Sequence, residues 1–257
     1  MYGIVVTLGI LISLWLCEKD WQEIDKNPEE MWDLTLIMIV FGIVGARIFH
    51  VIDYWEIYSG DYKLIFELWN GGLGIFGAVV GGLLGLVVFS ILNRYTFQKV
   101  LKILDIVAYG LPLAQFIGRW ANYFNNELYG KPTNLPWKVY IPIQNRPIEY
   151  LGENFFHPLF LYESLACLLL FFFIYSVKHK VLLKNTNFID GDLFLMYVSY
   201  YGLLRYFLEG LRIVHFEIGA FNVVQVLSIG FAGLSLIALL YRRFRKKAYG
   251  TKRIKAT

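Results

Sequence analysis

The chain has 257 residues, of which 57% are hydrophobic and 18% aromatic, and its formal net charge is +4. This balance, with a mean hydropathy of +0.52, excludes an ordinary soluble domain and favours a polytopic membrane protein, because each span needs ~20 mostly apolar residues. The two cysteines, Cys17 and Cys167, lie far apart in apolar runs without the spacing of metal ligands. We therefore expect two core residues and neither a metal site nor a cofactor.

Seven apolar runs predict an all-α polytopic integral membrane protein with about seven transmembrane helices, formed as a single membrane domain over residues 1–257. In chain order the predicted spans are Tyr2–Cys17, Met31–Trp55, Gly72–Leu92, Leu101–Ile117, Pro158–Val177, Ile189–Leu208 and Ala220–Tyr241. Gly77, Gly81 and Gly85 recur every four residues in the third span. They predict a helix face against which a second helix packs closely.

The loops between the spans differ in their lysine and arginine content, which orients a membrane protein. The richer set of loops carries Lys19, Lys26, Arg94, Lys99, Lys178, Lys180, Lys184 and the basic tail 242–257. We expect this set in the cytoplasm, the N-terminus outside, and residues 119–157 outside as a small extracytoplasmic head segment. Short strands are predicted in the head at 139–141 and 148–150. The tail suits anionic membrane lipid better than nucleic acid, because the chain ahead of it is membrane-bound.

A polar stretch directly follows the fourth predicted span, where Arg119, Asn122 and Asn126 stand at helical spacing and would share one face. Ionisable groups at membrane depth are costly and usually face a cavity or a site. A guanidinium is a planar fork of donors that suits phosphate, and asparagine amides both donate and accept. The alternative is an ordinary polar helix end, which Gly130 and Pro132 would terminate.

A second charged stretch ends the sixth predicted span. Arg205, Glu209 and Arg212 stand at i, i+4 and i+7, so they would lie on one helix face. Pairing with Glu209 lowers the free-energy cost of placing Arg205 in a membrane and leaves Arg205 able to donate to a ligand. The alternative is a structural ion pair that holds two helices together.

The polar stretch resembles the signature of the bacterial prolipoprotein diacylglyceryl transferases. The matching positions are Gly118, Arg119, Asn122, Tyr123, Asn125, Glu127 and Gly130. Smaller matches to the family are Gly45–Arg47, Trp69–Gly77, His157–Pro158, Leu161–Glu163, Tyr201–Arg212 and Gln225–Ile229. With Tyr2, which matches a family tyrosine, the resemblance covers nearly the whole chain, to about Tyr241.

Members of this family transfer the diacylglyceryl group of phosphatidylglycerol to the lipobox cysteine of a prolipoprotein and release glycerol phosphate, the first step of lipoprotein maturation. The resemblance implies the same reaction here, in the bacterial cytoplasmic membrane, with phosphatidylglycerol, prolipoprotein signal peptides and membrane lipid as partners. It implies catalytic roles for Arg119, Asn122, Glu127, Arg205 and Glu209. It implies substrate contacts for Tyr2, Arg47, Phe76, Arg119, Asn122, Asn125, Gly130, Tyr162, Glu163 and Arg212.

Two features depart from the family pattern. Many members carry histidine, proposed as the catalytic base, or tyrosine where this chain has Phe76, whose ring neither accepts nor donates a proton. The general base is therefore open among Glu127, Glu163 and Glu209. The short amphipathic segment that usually precedes Tyr2 is also missing, which predicts a truncated or mis-started chain, or a compact member.

Two other functions fit parts of the sequence. A catalytically impaired paralogue that binds lipoprotein signal sequences would fit Phe76. An anion transporter would fit the arginines in the spans and the glycine-rich third span. The hydropathy pattern, however, does not repeat in two halves as it does in many transporter folds.

Overall fold

The computed structural model describes residues 2–25, 27–179, 188–213, 217–218 and 221–254, with side chains up to residue 245 except those of 217 and 218. Over these ranges the helices are α1 (Tyr2–Trp21), α2 (Glu29–Asp53), α3 (Trp55–Tyr58), α4 (Ile75–Leu92), α5 (Phe97–Phe124), α6 (Leu159–Lys178), α7 (Asp192–Leu211) and α8 (Val223–Ile254). Short strands pair antiparallel, β1 (Val139–Tyr140) with β2 (Phe155–Phe156) and β3 (Glu217–Ile218) with β4 (Phe221–Asn222). Lys26, Lys180, Lys184, Ala220 and residues 255–257, which entered the sequence predictions, lie outside the described residues.

Six helices in the described part of the chain are long and apolar enough to cross a membrane, judged by length and composition. They are α1, α2, α4, α5, α6 and the segment Val223–Arg245 of α8. α7 has 20 residues and occupies the place of the sixth predicted span, but it carries Asp192, Arg205 and Glu209 and is not among these six helices. The predicted all-α polytopic fold is confirmed, with six candidate spans among the described residues. That α7 is a further span stays a prediction.

The fourth predicted span, Leu101–Ile117, is only the middle of α5, which continues to Phe124. Arg119 and Asn122 therefore lie in the last turns of this helix. The prediction that Asn126 shares their face was wrong. The helix has ended two residues earlier, and Asn126 has a φ of 54°, a left-handed conformation that asparagine tolerates.

The chain divides into two compact units. The larger unit contains Met1–Cys17 and Leu104–Thr257, and the smaller unit contains Glu18–Ile103. The boundaries fall within α1 and α5, so each of these helices contributes residues to both units.

In the smaller unit α2 and α4 pack along the glycine face of α4. Gly77, Gly81 and Gly85 are all buried. A β-carbon at Gly77 would overlap the main chain of Gly45, and one at Gly81 would overlap the carbonyl of Phe41. The predicted close-packing face is therefore confirmed, with α2 as the partner helix.

The larger unit contains the polar segment between α5 and α6. There β1 pairs with β2 in the register Val139↔Phe156 and Tyr140↔Phe155, at the place of the first predicted strand. The second predicted strand, at 148–150, was wrong because these residues form a 3-10 turn. Pro147, with φ −62°, starts this turn, and its carbonyl accepts the N–H of Tyr150 at 3.0 Å.

The beginning of α7 is fixed by side chains from two other helices of the larger unit. The carboxylate of Asp105 on α5 accepts the main-chain N–H of Gly191 at 2.7 Å and of Phe194 at 3.0 Å, which satisfies donors at the helix N-terminus. Asp192 forms an ion pair with Arg242 of α8 at 3.0 Å. The bonds to Asp105 fix the start of α7 against α5, and they thereby position the polar residues farther along α7.

Candidate active site

Three helices of the larger unit meet at Glu163. Nη2 of Arg119 on α5 lies 2.6 Å from Oε1 of Glu163 on α6 and donates to the hydroxyl of Tyr201 on α7 at 3.3 Å. The Tyr201 hydroxyl donates to the same carboxylate oxygen at 2.6 Å. The carboxylate therefore receives two short hydrogen bonds from two different helices, one of them assisted by the charge of Arg119.

The network continues along α7. Nη1 of Arg205 lies 3.8 Å from Oε2 of Glu163, and its Nη2 donates to Oε2 of Glu209 at 2.9 Å. Nη1 of Arg212 lies 3.5 Å from the same oxygen of Glu209. Arg212 was predicted on the same helix face, but it directly follows the end of α7 and has extended backbone. The predicted pairing of Arg205 with Glu209 is confirmed, and Glu163 joins this pair to Arg119.

We refer to Arg119, Glu163, Arg205, Glu209 and Arg212 as the charge cluster. The side chains of both glutamates are buried, whereas those of the three arginines are 28%, 17% and 37% exposed in chain order. When all five are ionised, three guanidinium groups and two carboxylates leave one net positive charge. Nε of Arg119 is also buried and has no hydrogen-bond partner among the described residues. The cluster therefore carries surplus positive charge and one buried N–H donor without a described partner.

A carboxylate outside the ion pairs lies just beyond the end of α5. Glu127 is exposed, and its oxygens accept from Nδ2 of Asn122 at 3.3 Å and from Nδ2 of Asn125 at 3.4 Å. The main-chain N–H of Glu127 donates to the carbonyl of Asn122 at 2.8 Å. Asn122 is buried one turn after Arg119, and its Oδ1 has no partner in the described part of the chain. Asn122 therefore connects Glu127 to α5, the helix that carries Arg119.

Gly130 brings the loop after α5 against the end of α7. Its N–H donates to the carbonyl of His157 at 2.8 Å, and a β-carbon at this position would lie 2.5 Å from the carbonyl oxygen of Leu211. The next residue, Lys131, donates from its main chain to Leu211 at 2.9 Å and from Nζ to the carbonyl of Gly210 at 3.0 Å. Only glycine permits this approach, which places the loop beside the segment that carries Glu209 and Arg212.

Tyr162, the neighbour of Glu163, is bonded to the polar segment before α6. Its hydroxyl accepts from Nε1 of Trp137 at 2.8 Å and lies 3.1 Å from Nδ1 of His157. Burial lowers the pKa of His157 and so favours its neutral imidazole. These bonds orient the first turn of α6, directly before Glu163, whose side chain reaches Arg119.

Three other residues that the sequence suggested form no side-chain hydrogen bond or ion pair with this network among the described residues. Tyr2 begins α1 with an exposed side chain and makes no hydrogen bond to a described residue. Arg47 and Phe76 belong to the smaller unit, where Arg47 is bonded to main-chain carbonyls and the ring centre of Phe76 lies 5.9 Å from that of Phe49. Their roles toward a substrate stay predictions.

Tyr201 is the site residue that sequence reasoning missed. It stands four residues before Arg205, so the i, i+4 rule that linked Arg205 to Glu209 would also have placed Tyr201 on that face. Its ring stacks on Tyr197 with a centroid distance of 5.7 Å and an interplanar angle of 9°. Tyr197 thus supports the ring whose hydroxyl bonds to Glu163.

The fold and the site define a multi-pass membrane protein with a buried, charge-paired polar site among its helices. The family model described as prolipoprotein diacylglyceryl transferase matches residues 1–241, and the chain belongs to this family. The sequence is 36% identical to the phosphatidylglycerol–prolipoprotein diacylglyceryl transferase of a Nostoc species over 246 residues, which cover 96% of this chain and 86% of the relative. It is 34% identical to the protein of the same name from Thermosynechococcus vestitus, over 89% of this chain and 82% of the relative. The family resemblance inferred from the sequence motifs is confirmed.

Proposed function

We propose that this protein transfers the diacylglyceryl group of phosphatidylglycerol to the lipobox cysteine of a prolipoprotein. The cysteine sulfur bonds to the carbon of the diacylated glycerol that carries the phosphate ester. The carbon–oxygen bond breaks, glycerol phosphate leaves with the electron pair, and the thiol proton passes to a base. Within a chain of this family, the observation that carries the proposal is the charge cluster, because its surplus positive charge suits an anionic lipid and an anionic leaving group.

Arg119 and Arg205 are our candidates for the groups that bind the phosphate. Each side chain is partly exposed and is paired with a buried carboxylate. The glutamates fix the two forks in place, so little rearrangement is needed when negative charge develops on the leaving oxygen. Fixed donors aimed at developing charge are most effective where water is excluded.

Glu127 is our candidate for the base that accepts the thiol proton. A free cysteine thiol has a pKa of about 8.5, so only a small fraction is the reactive thiolate at neutral pH. Glu163 and Glu209 are held by guanidinium groups, whereas Glu127 is exposed and its carboxylate is bonded to the amides of Asn122 and Asn125. Asn122 would orient Glu127 against the helix that carries Arg119.

The remaining candidates have supporting roles in this proposal. Arg212 of the cluster, with Asn125 and Tyr162 near it, would contact the lipid head group or the peptide. Gly130 holds the loop after α5 against the end of α7. Tyr2 and Phe76 stay candidates for substrate contact on the family resemblance alone.

The proposed location is the bacterial cytoplasmic membrane, with the N-terminus outside and the C-terminus in the cytoplasm. The bias of lysine and arginine among the loops supports this orientation. Residues 119–157 then face outward, on the side where a secreted prolipoprotein presents its cysteine. The basic tail would contact anionic lipid on the cytoplasmic face.

Mass analysis of a lipobox peptide incubated with the protein and phosphatidylglycerol tests the proposal. We expect the peptide to gain the mass of one diacylglyceryl group, and a serine-for-cysteine peptide to remain unmodified. A peptide that is retained by the protein but never modified would indicate a signal-sequence binder. Phosphatidylglycerol-independent movement of anions across vesicles, with no peptide modified, would indicate a transporter.

Phe76 favours a second candidate function, the impaired paralogue, because its ring cannot accept a proton. The substitution Phe76→His separates the two readings. If Arg119, Arg205 and Glu127 carry the chemistry, the histidine should change turnover little. If a base is needed at this position, the native protein should be nearly inert and the variant should gain the ~10²–10⁴-fold of a positioned general base.

A further inference from the structure

Arg47 is a buried arginine of α2 whose donors are directed at the main chain rather than at a carboxylate. Its side chain reaches the segment between α3 and α4, and the residue is only 6% exposed. Nε donates to the carbonyl of Ile65 at 2.8 Å, and Nη1 donates to Gly71 at 2.7 Å and Gly72 at 2.9 Å. Nη2 donates to Leu64 and, at 3.3 Å, to Glu67.

These bonds use the full hydrogen-bonding capacity of the side chain. A guanidinium has five N–H donors, and Arg47 meets five carbonyl oxygens spread over residues 64–72. The ring of Tyr58 covers the group, with its centroid 5.1 Å from Cζ, and Tyr58 is itself buried and bonded to His50 at 2.9 Å. A lipid phosphate could bind Arg47 only by displacing these bonds, so Arg47 holds the main chain of this segment.

The outer surface of the same segment is aromatic. Trp69 is 79% exposed and Phe66 is 77% exposed, and Tyr54, Trp55 and Tyr62 are also exposed. A rigid loop in water would not normally present such large apolar rings, and tryptophan and tyrosine are enriched where a membrane meets water. The segment lies between α2 and α4, two helices able to cross a membrane.

Exposed apolar residues of the two helices flank this aromatic segment in the chain. Ile52, near the end of α2, and Ile75, at the start of α4, are both largely exposed and stand on either side of the segment in the chain. Charged residues of the segment, such as Asp61 and Lys63, are exposed among the rings. This mixture of apolar rings and charges fits the head-group region of a bilayer, where both kinds of group are satisfied.

We propose that residues 54–74 are a rigid platform that lies in the phospholipid head-group region of the bilayer, and that Arg47 keeps it folded. The partner is the lipid interface itself, with the rings at the level of the upper acyl chains. The platform does not depend on the proposed transfer reaction. It assigns Arg47 a positioning role in place of the substrate contact implied by the family resemblance.

Fluorescence quenching in proteoliposomes tests the platform. The emission of Trp69 is obtained as the difference between the protein and its Trp69→Phe variant. We expect it to be quenched strongly by lipids brominated near the ester, less by lipids brominated near the chain end, and weakly by aqueous iodide. Strong quenching by iodide with none by brominated lipid, or quenching by neither, would overturn the proposal.

The role of Arg47 is tested by Arg47→Lys, with Arg94→Lys as the matched control, since Arg94 is the exposed arginine of the same unit. Lysine keeps the charge but presents three donors from one point, so it cannot span five carbonyls. We expect Arg47→Lys either to lose the folded protein or to expose Trp69 to iodide, while Arg94→Lys does neither. If Arg47→Lys is folded with the quenching of the unchanged protein, Arg47 does not hold the platform.

Discussion

Glu163 is the side chain on which the site depends most. It is completely buried, and its two oxygens meet Arg119, Tyr201 and Arg205 from two neighbouring helices. A buried ion pair contributes little net stability, but removing one partner leaves the other charge uncompensated. In the proposed reaction we therefore assign Glu163 the role of holding the two phosphate-binding candidates in position.

Substitution of the two arginines tests the phosphate-binding roles. We expect Arg119→Ala and Arg205→Ala each to lower the transfer rate by about 10²–10³-fold in folded protein, because a fixed donor to developing charge is removed. Arg119→Lys should restore little, since a point charge lacks the planar fork. Turnover with a lipobox peptide measures this, and near-normal turnover in both alanine variants would refute the roles.

The two carboxylates Glu163 and Glu127 should differ in what their loss affects. Glu163→Gln should lower the free energy of unfolding by about 3 kcal/mol, because Arg119 and Arg205 lose a buried partner. Glu127→Gln should leave the unfolding temperature unchanged and lower the transfer rate by about 10²–10⁴-fold, as expected for a lost base. Thermal unfolding and turnover of both variants decide this, and normal turnover of Glu127→Gln would exclude it as the base.

At the scale of single residues, the sequence predicts side-chain contacts within one helix better than contacts between helices. The i, i+4 spacing was enough to pair Arg205 with Glu209. The contacts of Arg119 with Glu163 and Tyr201 join residues far apart in the chain, so no local pattern encodes them. Arg47 matched a family motif, but only the structure reveals that carbonyl groups take all its donors.

Among the elements, α4 gives the clearest case of packing set by glycine. Its buried glycines let α2 approach until the main chains touch, as the four-residue spacing predicts. The end of α5 was harder to predict, because polar residues continue the helix beyond the apolar run to Phe124. The turn at 148–150 was read as a strand because its residues suit strands, whereas Pro147 determines the local backbone.

A matched pair of substitutions on α4 tests this packing. A β-carbon at Gly81 would overlap the carbonyl of Phe41, whereas one at Gly82 would make only an ordinary contact of 3.8 Å with Met38. We expect Gly81→Ala to destabilise the protein by about 1–3 kcal/mol through overpacking and Gly82→Ala to be neutral or stabilising. Thermal unfolding in detergent compares the two variants. Equal unfolding temperatures would mean that α2 and α4 can move apart without a loss of stability.

For the whole molecule, orientation in the membrane is the property that the site depends on. The substrate cysteine of a secreted prolipoprotein is reached from outside, so the segment 119–157 has to face outward for the proposed reaction. Loop charge supports this orientation. The two native cysteines are buried, which leaves little background for labelling experiments.

Labelling of single introduced cysteines on intact cells tests the orientation. We expect Asn134→Cys, in the exposed head segment, to react with an impermeant thiol reagent, and Lys252→Cys, in the basic tail, to react only after the membrane is opened. The unchanged protein is the control for the buried native thiols. Reaction of the tail but not of the head on intact cells would invert the topology.

The central claim is that the charge cluster supports displacement of glycerol phosphate by a cysteine thiol. The most direct test is to count both products in one reaction, the modified lipobox peptide by mass and the released glycerol phosphate by chromatography. We expect equal amounts of the two with the unchanged protein, and neither above background with Arg119→Ala. Glycerol phosphate released without modified peptide would indicate lipid hydrolysis, and modified peptide without released glycerol phosphate would indicate a different bond cleavage. Either result would contradict the claim.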